Sequence, residues 1–119
     1  MSSINQVLKS DMTFVRKYAL PYFGIKKVGF TIDYSTKKFP DIWCYPDANP
    51  PVIVVTQEWA RQRAGERRKR IVHELLHISG LNHSKKIGYN SRPDLDTYSQ
   101  RVYNEIEAKM RYPISWCGR

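Results

Sequence analysis

Apolar residues recur at helical spacing in the first twenty positions. Ile4, Val7, Leu8, Met12, Val15, Tyr18 and Ala19 fall on one stripe between Ser3 and Leu20, and Ser3 followed by Gln6 has the form of a capping box. Pro21 and Gly24 are expected to end that helix. The period then changes to two. Val28, Phe30, Ile32 and Tyr34 alternate with Gly29, Thr31, Asp33 and Ser35, which predicts a half-buried strand over residues 27–35. Residues 35–40 read as a turn, Ile42–Tyr45 as a second strand pairing back on the first, and residues 47–51, with Asn49, Pro50 and Pro51, as a loop. Residues 52–55 are an unbroken apolar run and predict a more deeply buried strand.

The helical period returns after Thr56, which can cap a helix beginning near Gln57 and running at least to Ala64, where Gly65 weakens it. A second helical stretch covers residues 66–79. After a loop containing Gly88 and Pro93, Asp94 or Asp96 can cap a last helix that continues to Arg111. Leu95, Tyr98, Val102, Tyr103, Ile106 and Met110 form its inner side, and Pro113 stops it. There is no internal repeat, linker or low-complexity segment. The expected fold is α+β: a single small domain with an N-terminal helix, a small, mostly antiparallel sheet, a motif-bearing helix and a C-terminal helix.

Length and composition narrow this further. The 119 residues suffice for one domain with one modest core, and 41% hydrophobic with 13% aromatic residues is the make-up of a folded chain. Twenty lysines and arginines against 11 aspartates and glutamates give a net charge of +9, so an acidic or phosphorylated partner such as nucleic acid fits, as does a charged coat that serves solubility or heat adaptation. Cys44 and Cys117 lie far apart in no CxxC spacing, which implies neither a thiolate zinc site nor a disulfide framework and points to a reducing, cytoplasmic setting. No apolar run approaches the roughly 18–20 residues of a membrane span, so no membrane partner and no cleaved signal are expected.

The chemistry is concentrated in one segment. All three histidines stand at the spacing HExxHxxGxxH, as His73, His77 and His83, with Glu74 and Gly80 at the other specified positions. On a helix, His73 and His77 are one turn apart on one face, so their imidazoles can converge on one ion with Glu74 beside them, while Ile71, Val72, Leu75, Leu76 and Ile78 face the core. Gly80 can take the left-handed conformation that turns the chain sharply and lets His83 return to the metal. Three neutral imidazoles leave one tetrahedral position for water, the open arrangement of catalytic zinc (Zn2+), and an adjacent glutamate can accept that water's proton. A structural site needs four protein ligands and no acid–base residue; a non-catalytic zinc-binding module is therefore the weaker reading. A chance match at all five positions is on the order of one in a hundred thousand per chain.

The segment from His73 to His83 resembles the zinc signature of the metzincin metallopeptidases, and in size and element order the whole chain resembles the short zincins called minigluzincins. The first likeness covers eleven residues and is specific; the second is loose. It implies a zincin-like domain, a bound Zn2+, a peptide or protein substrate, metal ligands His73, His77 and His83, and Glu74 as catalytic base. Metzincins also have a methionine turn beneath the zinc, to which the Met110–Pro113 stretch bears a faint likeness, but helical periodicity makes Met110 a core residue. Gluzincins use a glutamate from the following helix as third ligand, which would be Glu105 or Glu107, and the aspartate-ligand class would point to Asp94 or Asp96. Small bacterial endoribonucleases share HxxxHxxGxxH, which would suit a basic protein, but they resemble HGxxH where this chain has Glu74. SprT-like proteases that carry HExxH would reconcile proteolysis with a basic surface.

Several further residues are candidates. Arg61, Arg63, Arg67, Arg68, Lys69 and Arg70 precede the motif, where cations oppose the helix dipole; either the helix begins earlier, or they meet acids such as Glu58 and Glu66 or an anionic partner, or they form a solvated face. Arg70, one turn before His73, could contact substrate. Tyr89, Tyr98, Tyr103 and Tyr112 could each donate to an oxyanion. In a small zincin the terminal segment could fold across the cleft, with Cys117 at the open zinc position. A substrate peptide is expected to add to an exposed strand edge.

Overall fold

A computed structural model of the chain describes residues 3–35, 38–81 and 92–111. The first helical stretch comprises α1 (Ile4–Thr13), a π-helical turn over Phe14–Ala19, and α2 (Leu20–Phe23). Ser3 and Gln6 form the expected capping box, each side chain bonded to the other's backbone N–H at 3.1 Å. The stretch does not stop at Pro21. Proline lacks an N–H and its ring crowds the carbonyl four residues back; the preceding widened turn, in which the Leu20 N–H reaches Val15 O, accommodates it. Gly24, at φ 68°, ends the helix instead.

Three strands follow, β1 (Gly29–Asp33), β2 (Ile42–Tyr45) and β3 (Val52–Thr56), in the order β1-β3-β2. β2 does not pair with β1. It pairs antiparallel with β3, while β1 pairs parallel with β3, so the sheet is mixed rather than mostly antiparallel. The cause is burial: β3, the most apolar strand, takes the centre, where both of its edges are satisfied and Ile53 and Val55 are fully buried. The half-apolar strands take the edges. On β1, Phe30 and Ile32 face the core as the alternation predicts, but Tyr34 lies beyond the strand and is exposed.

Thr56 caps α3 (Gln57–Ala60), its Oγ1 accepting from the Trp59 N–H while donating to Asp41 O at 2.8 Å. This helix stops after one turn rather than reaching Ala64. Tertiary hydrogen bonds hold the break, because Gln62 O accepts from Arg67 Nη1 and the Gln62 amide donates to Asp41. The motif helix α4 (Ala64–Ile78) then begins two residues earlier than the sequence suggests, with Gly65 inside its first turn. The last helix, α5 (Arg92–Arg111), also begins early, so Asp94 and Asp96 lie within it and are not its caps. Its inner side is Leu95, Ser99, Val102, Tyr103 and Ile106, with Met110 packed against the core as expected.

The basic run before the motif is in part a cross-link, through Arg67 and Arg68, while Arg61 and Arg63 stay exposed. Asp11 on α1 is fully buried and accepts from Arg67 Nε at 2.8 Å, Arg67 Nη2 at 3.1 Å and Arg68 Nε at 3.0 Å, tying the first helix to α4. Arg70 bonds Asp41, Lys69 bonds Glu66 and Arg61 bonds Glu58. Among the described residues, no helix is long and apolar enough to cross a membrane.

Candidate metal centre

Helix α4 presents two faces, as its periodicity requires. Ile71, Val72, Leu75 and Leu76 are buried in the core, and His73, Glu74 and His77 point into a cavity of about 820 Å³ walled by β2 and by the start of α5. The histidine rings lie 4.9 Å apart at an interplanar angle of 70°. One ligand atom from each of His73, Glu74 and His77 lies within 4.8 Å of the others. Ile78, expected in the core, is half-buried and lines the cavity.

The hydrogen bonds fix the tautomer of both rings. His77 Nδ1 is 2.9 Å from Leu81 O; a carbonyl can only accept, so Nδ1 holds a proton, and in the neutral ring Nε2 then carries the lone pair. His73 Nδ1 lies 3.2 Å from the Asp96 carboxylate and 3.3 Å from Ser99 Oγ. Ser99 spends its own proton on Leu95 O at 2.8 Å, so toward His73 it accepts, as the carboxylate does. Nδ1 of His73 is therefore the protonated nitrogen too. Metal-binding histidines are oriented in this way, with the distal N–H held by an acceptor and the other nitrogen left as ligand. Asp96→Asn is accordingly expected to weaken the site's affinity for a metal ion about 10- to 100-fold, measured by competition with a chromophoric chelator, without unfolding the protein.

Gly80 closes α4 in a Schellman motif: its N–H bonds His77 O, and the Leu81 N–H bonds Leu76 O, each at 3.0 Å. At φ 111° only glycine is at ease, and a Cβ would meet no atom within 4 Å, so the requirement is conformational. The same turn delivers the Leu81 carbonyl to His77. Gly80→Ala should cost about 1–2 kcal/mol in urea unfolding and loosen metal binding at the site as well.

Glu74 is 7% exposed. Burial first, and then the charge of Asp41, push its carboxyl up from 4.5 to about 7, against a lowering hydrogen bond from Cys44. Cys44, on β2, is itself raised to about 12 by burial, the Glu74 charge and that hydrogen bond, so it is a neutral thiol at physiological pH. Among the described residues Cys44 is a free cysteine.

Other sequence candidates lie elsewhere. Glu105 accepts from Tyr22 at 2.5 Å, and Glu107 accepts from Tyr103 at 3.4 Å and pairs with Arg111; neither joins the histidines. Tyr103 packs on Phe14, and neither it nor Tyr98 lines the cavity. Arg70 does line it, clamped by Asp41 and by Gln62 Oε1. His83, Tyr89, Tyr112 and Cys117 lie outside the described residues. Compared with models of protein families, with curated proteins and with solved structures, the chain matches none. The residues that the sequence reading missed are Asp41, Cys44, Ser99 and the Leu81 carbonyl, whereas Asp96, named there as a ligand or cap candidate, faces His73 Nδ1. Ser99 alone left a signal, as a polar residue between Leu95 and Val102 on an apolar stripe.

Proposed function

We propose that this chain is a zinc-dependent metallopeptidase of the zincin kind, with His73, His77 and His83 as metal ligands and Glu74 as general base. The observation that supports it most is the pair of imidazoles whose Nδ1 protons are both committed to acceptors, standing beside a buried carboxyl. This donor set fits a borderline cation such as zinc, and a preorganised second shell gives it orientation. Bound zinc would polarise the scissile carbonyl and lower the pKa of water to about 7.

The chain's own groups supply the rest. His73 and His77 present Nε2 from one helical face, and His83 is assigned by the signature. Glu74 takes a proton from the attacking water and passes it to the leaving amine, a role suited to a carboxyl that buried surroundings hold near neutrality. β2 is an edge strand beside this helix: Asp41, next to it, meets Arg70, and Cys44 Sγ lies 3.9 Å from Glu74 O. An extended peptide added to that edge would therefore run past Glu74. A cytoplasmic setting, as the cysteine usage implies, goes with this reading.

The charge of the cavity weighs against an endoribonuclease. Asp41, Asp47, Glu66, Glu74 and Asp96 line it, against Lys69 and Arg70. A polyanion would be poorly received there. The test is incubation of zinc-loaded protein with casein and, separately, with single-stranded RNA. Casein cleavage abolished by a chelator supports the proposal; cleavage of RNA alone overturns it, and zinc held without any turnover would leave a binding module.

A further inference from the structure

The outer surface of the first helical stretch carries cations and no exposed acid. Residues 3–28 contain Lys9, Arg16, Lys17, Lys26 and Lys27, all exposed, and one acidic residue, Asp11, which is fully buried and held by Arg67 and Arg68. Among the described residues none of these five cations pairs with a carboxylate, whereas Arg61, Arg67, Arg68, Lys69, Arg70 and Arg111 all do. The five are thus a source of the net positive charge that the fold leaves for solvent or for a partner.

Their placement follows from the helix. Lys9 and Arg16 are exposed, on the outer side of the stretch away from the buried Ile4, Phe14 and Val15. Lys17 flanks them, and the Gly24 turn brings Lys26 and Lys27 immediately after the helix. Of the acids on packed neighbours, Glu105 on α5 is bonded to Tyr22, with Lys109 over that same ring at 5.4 Å, and Glu58 on α3 pairs with Arg61.

Two observations choose the partner. A membrane-surface helix needs an exposed apolar face, and here that face is spent in the core, with Phe14, Val15 and Ala19 at 2% exposure or less. Single-stranded nucleic acid is gripped by open aromatic platforms, and here Tyr18 and Tyr22 are half-buried and lie under Lys17 and Lys109. What remains is a sequence-neutral group of exposed cations along the helix and just past its end. We infer that this face, formed by Lys9, Arg16, Lys17, Lys26 and Lys27, docks on the phosphate backbone of duplex nucleic acid. The docking is separate from the acid-lined cavity and holds whatever that cavity hydrolyses.

The test uses the full chain, a labelled DNA duplex of about 24 base pairs and fluorescence anisotropy between about 50 and 200 mM salt. Binding should fall with a log–log slope of about −3.6 to −4.5, as for four or five phosphate contacts. Replacing Lys9, Arg16, Lys17, Lys26 and Lys27 together by glutamine should weaken binding roughly 10- to 100-fold and flatten the slope. All five are exposed, so the melting temperature should hold. A charge-matched control replaces Lys38, Arg61, Arg63, Arg101 and Arg111 by glutamine and should bind far more like the wild type. Absence of duplex binding, equal loss in the control, tighter binding of the single strand, or binding to phosphatidylglycerol vesicles without duplex binding would each overturn the assignment.

Discussion

On the metallopeptidase reading proposed above, Glu74→Gln is expected to keep the metal and lose turnover by about 10²- to 10⁴-fold, the range over which a positioned general base contributes. Glutamine keeps the shape of the side chain but cannot take a proton. The same change should stabilise the metal-free protein, with an effect that grows with pH. Glu74 in the fold holds its proton up to about 7 and in the unfolded chain only up to about 4.5. Below 4.5 both states are protonated and the wild type is at its full stability. As pH rises between these values the unfolded state ionises first and binds fewer protons, so wild-type stability falls, and above 7 the deficit is complete at roughly 3 kcal/mol. Chelator-treated Glu74→Gln should therefore unfold at higher urea than the wild type at pH 8, with the gap shrinking by pH 4.5. A gain of stability on removing a group, paired with loss of activity, marks a residue kept for chemistry. Equal urea midpoints at pH 8 would show that the carboxyl is not held against its solvation.

Asp11→Ala should be the most damaging change outside the cavity, at about 3–5 kcal/mol, enough to unfold a marginal domain of this size. Its carboxylate is the shared acceptor for Arg67 and Arg68, and it is fully buried. Removing it leaves two guanidinium groups facing each other with no counter-charge, one of them only 12% exposed. The loss is of partners rather than of the bridge itself, so a variant that also replaces Arg67 and Arg68 by methionine should recover much of the stability. Urea unfolding of the single and triple variants measures both. A single variant within about 1 kcal/mol of wild type would mean that the two helices are not tied through this residue.

Asp11 also illustrates what the sequence discloses. Among the described residues, hydrophobic patterning found the three strands and the long helices because burial dictates it, and Ser3, Thr56 and Gly80 act at helix ends as their chemistry requires. Pairing order was not legible: proximity along the chain favoured β1 with β2, whereas burial sends the most apolar strand, β3, to the centre. The basic run before the motif was read against nearby Glu58 and Glu66, yet Arg67 and Arg68 bond an aspartate more than fifty residues away. The centre divides in the same manner. His73, Glu74 and His77 converge because three or four residues make one helical turn, a local fact. Asp96 and Ser99 reach His73 across a contact between α4 and α5 that no local pattern encodes. Charge balance alone could not separate the bonded cations at 67–70 from the exposed ones at 9, 16, 17, 26 and 27; only the fold does.

Metal content is the most direct measurement. Protein purified without added metal or chelator, assayed by inductively coupled plasma mass spectrometry beside a His73→Ala/His77→Ala variant, should contain close to one zinc per wild-type chain and almost none in the variant. A wild type free of transition metal that also fails to take up added zinc, or a variant that retains as much as the wild type, would contradict a centre built on these two imidazoles.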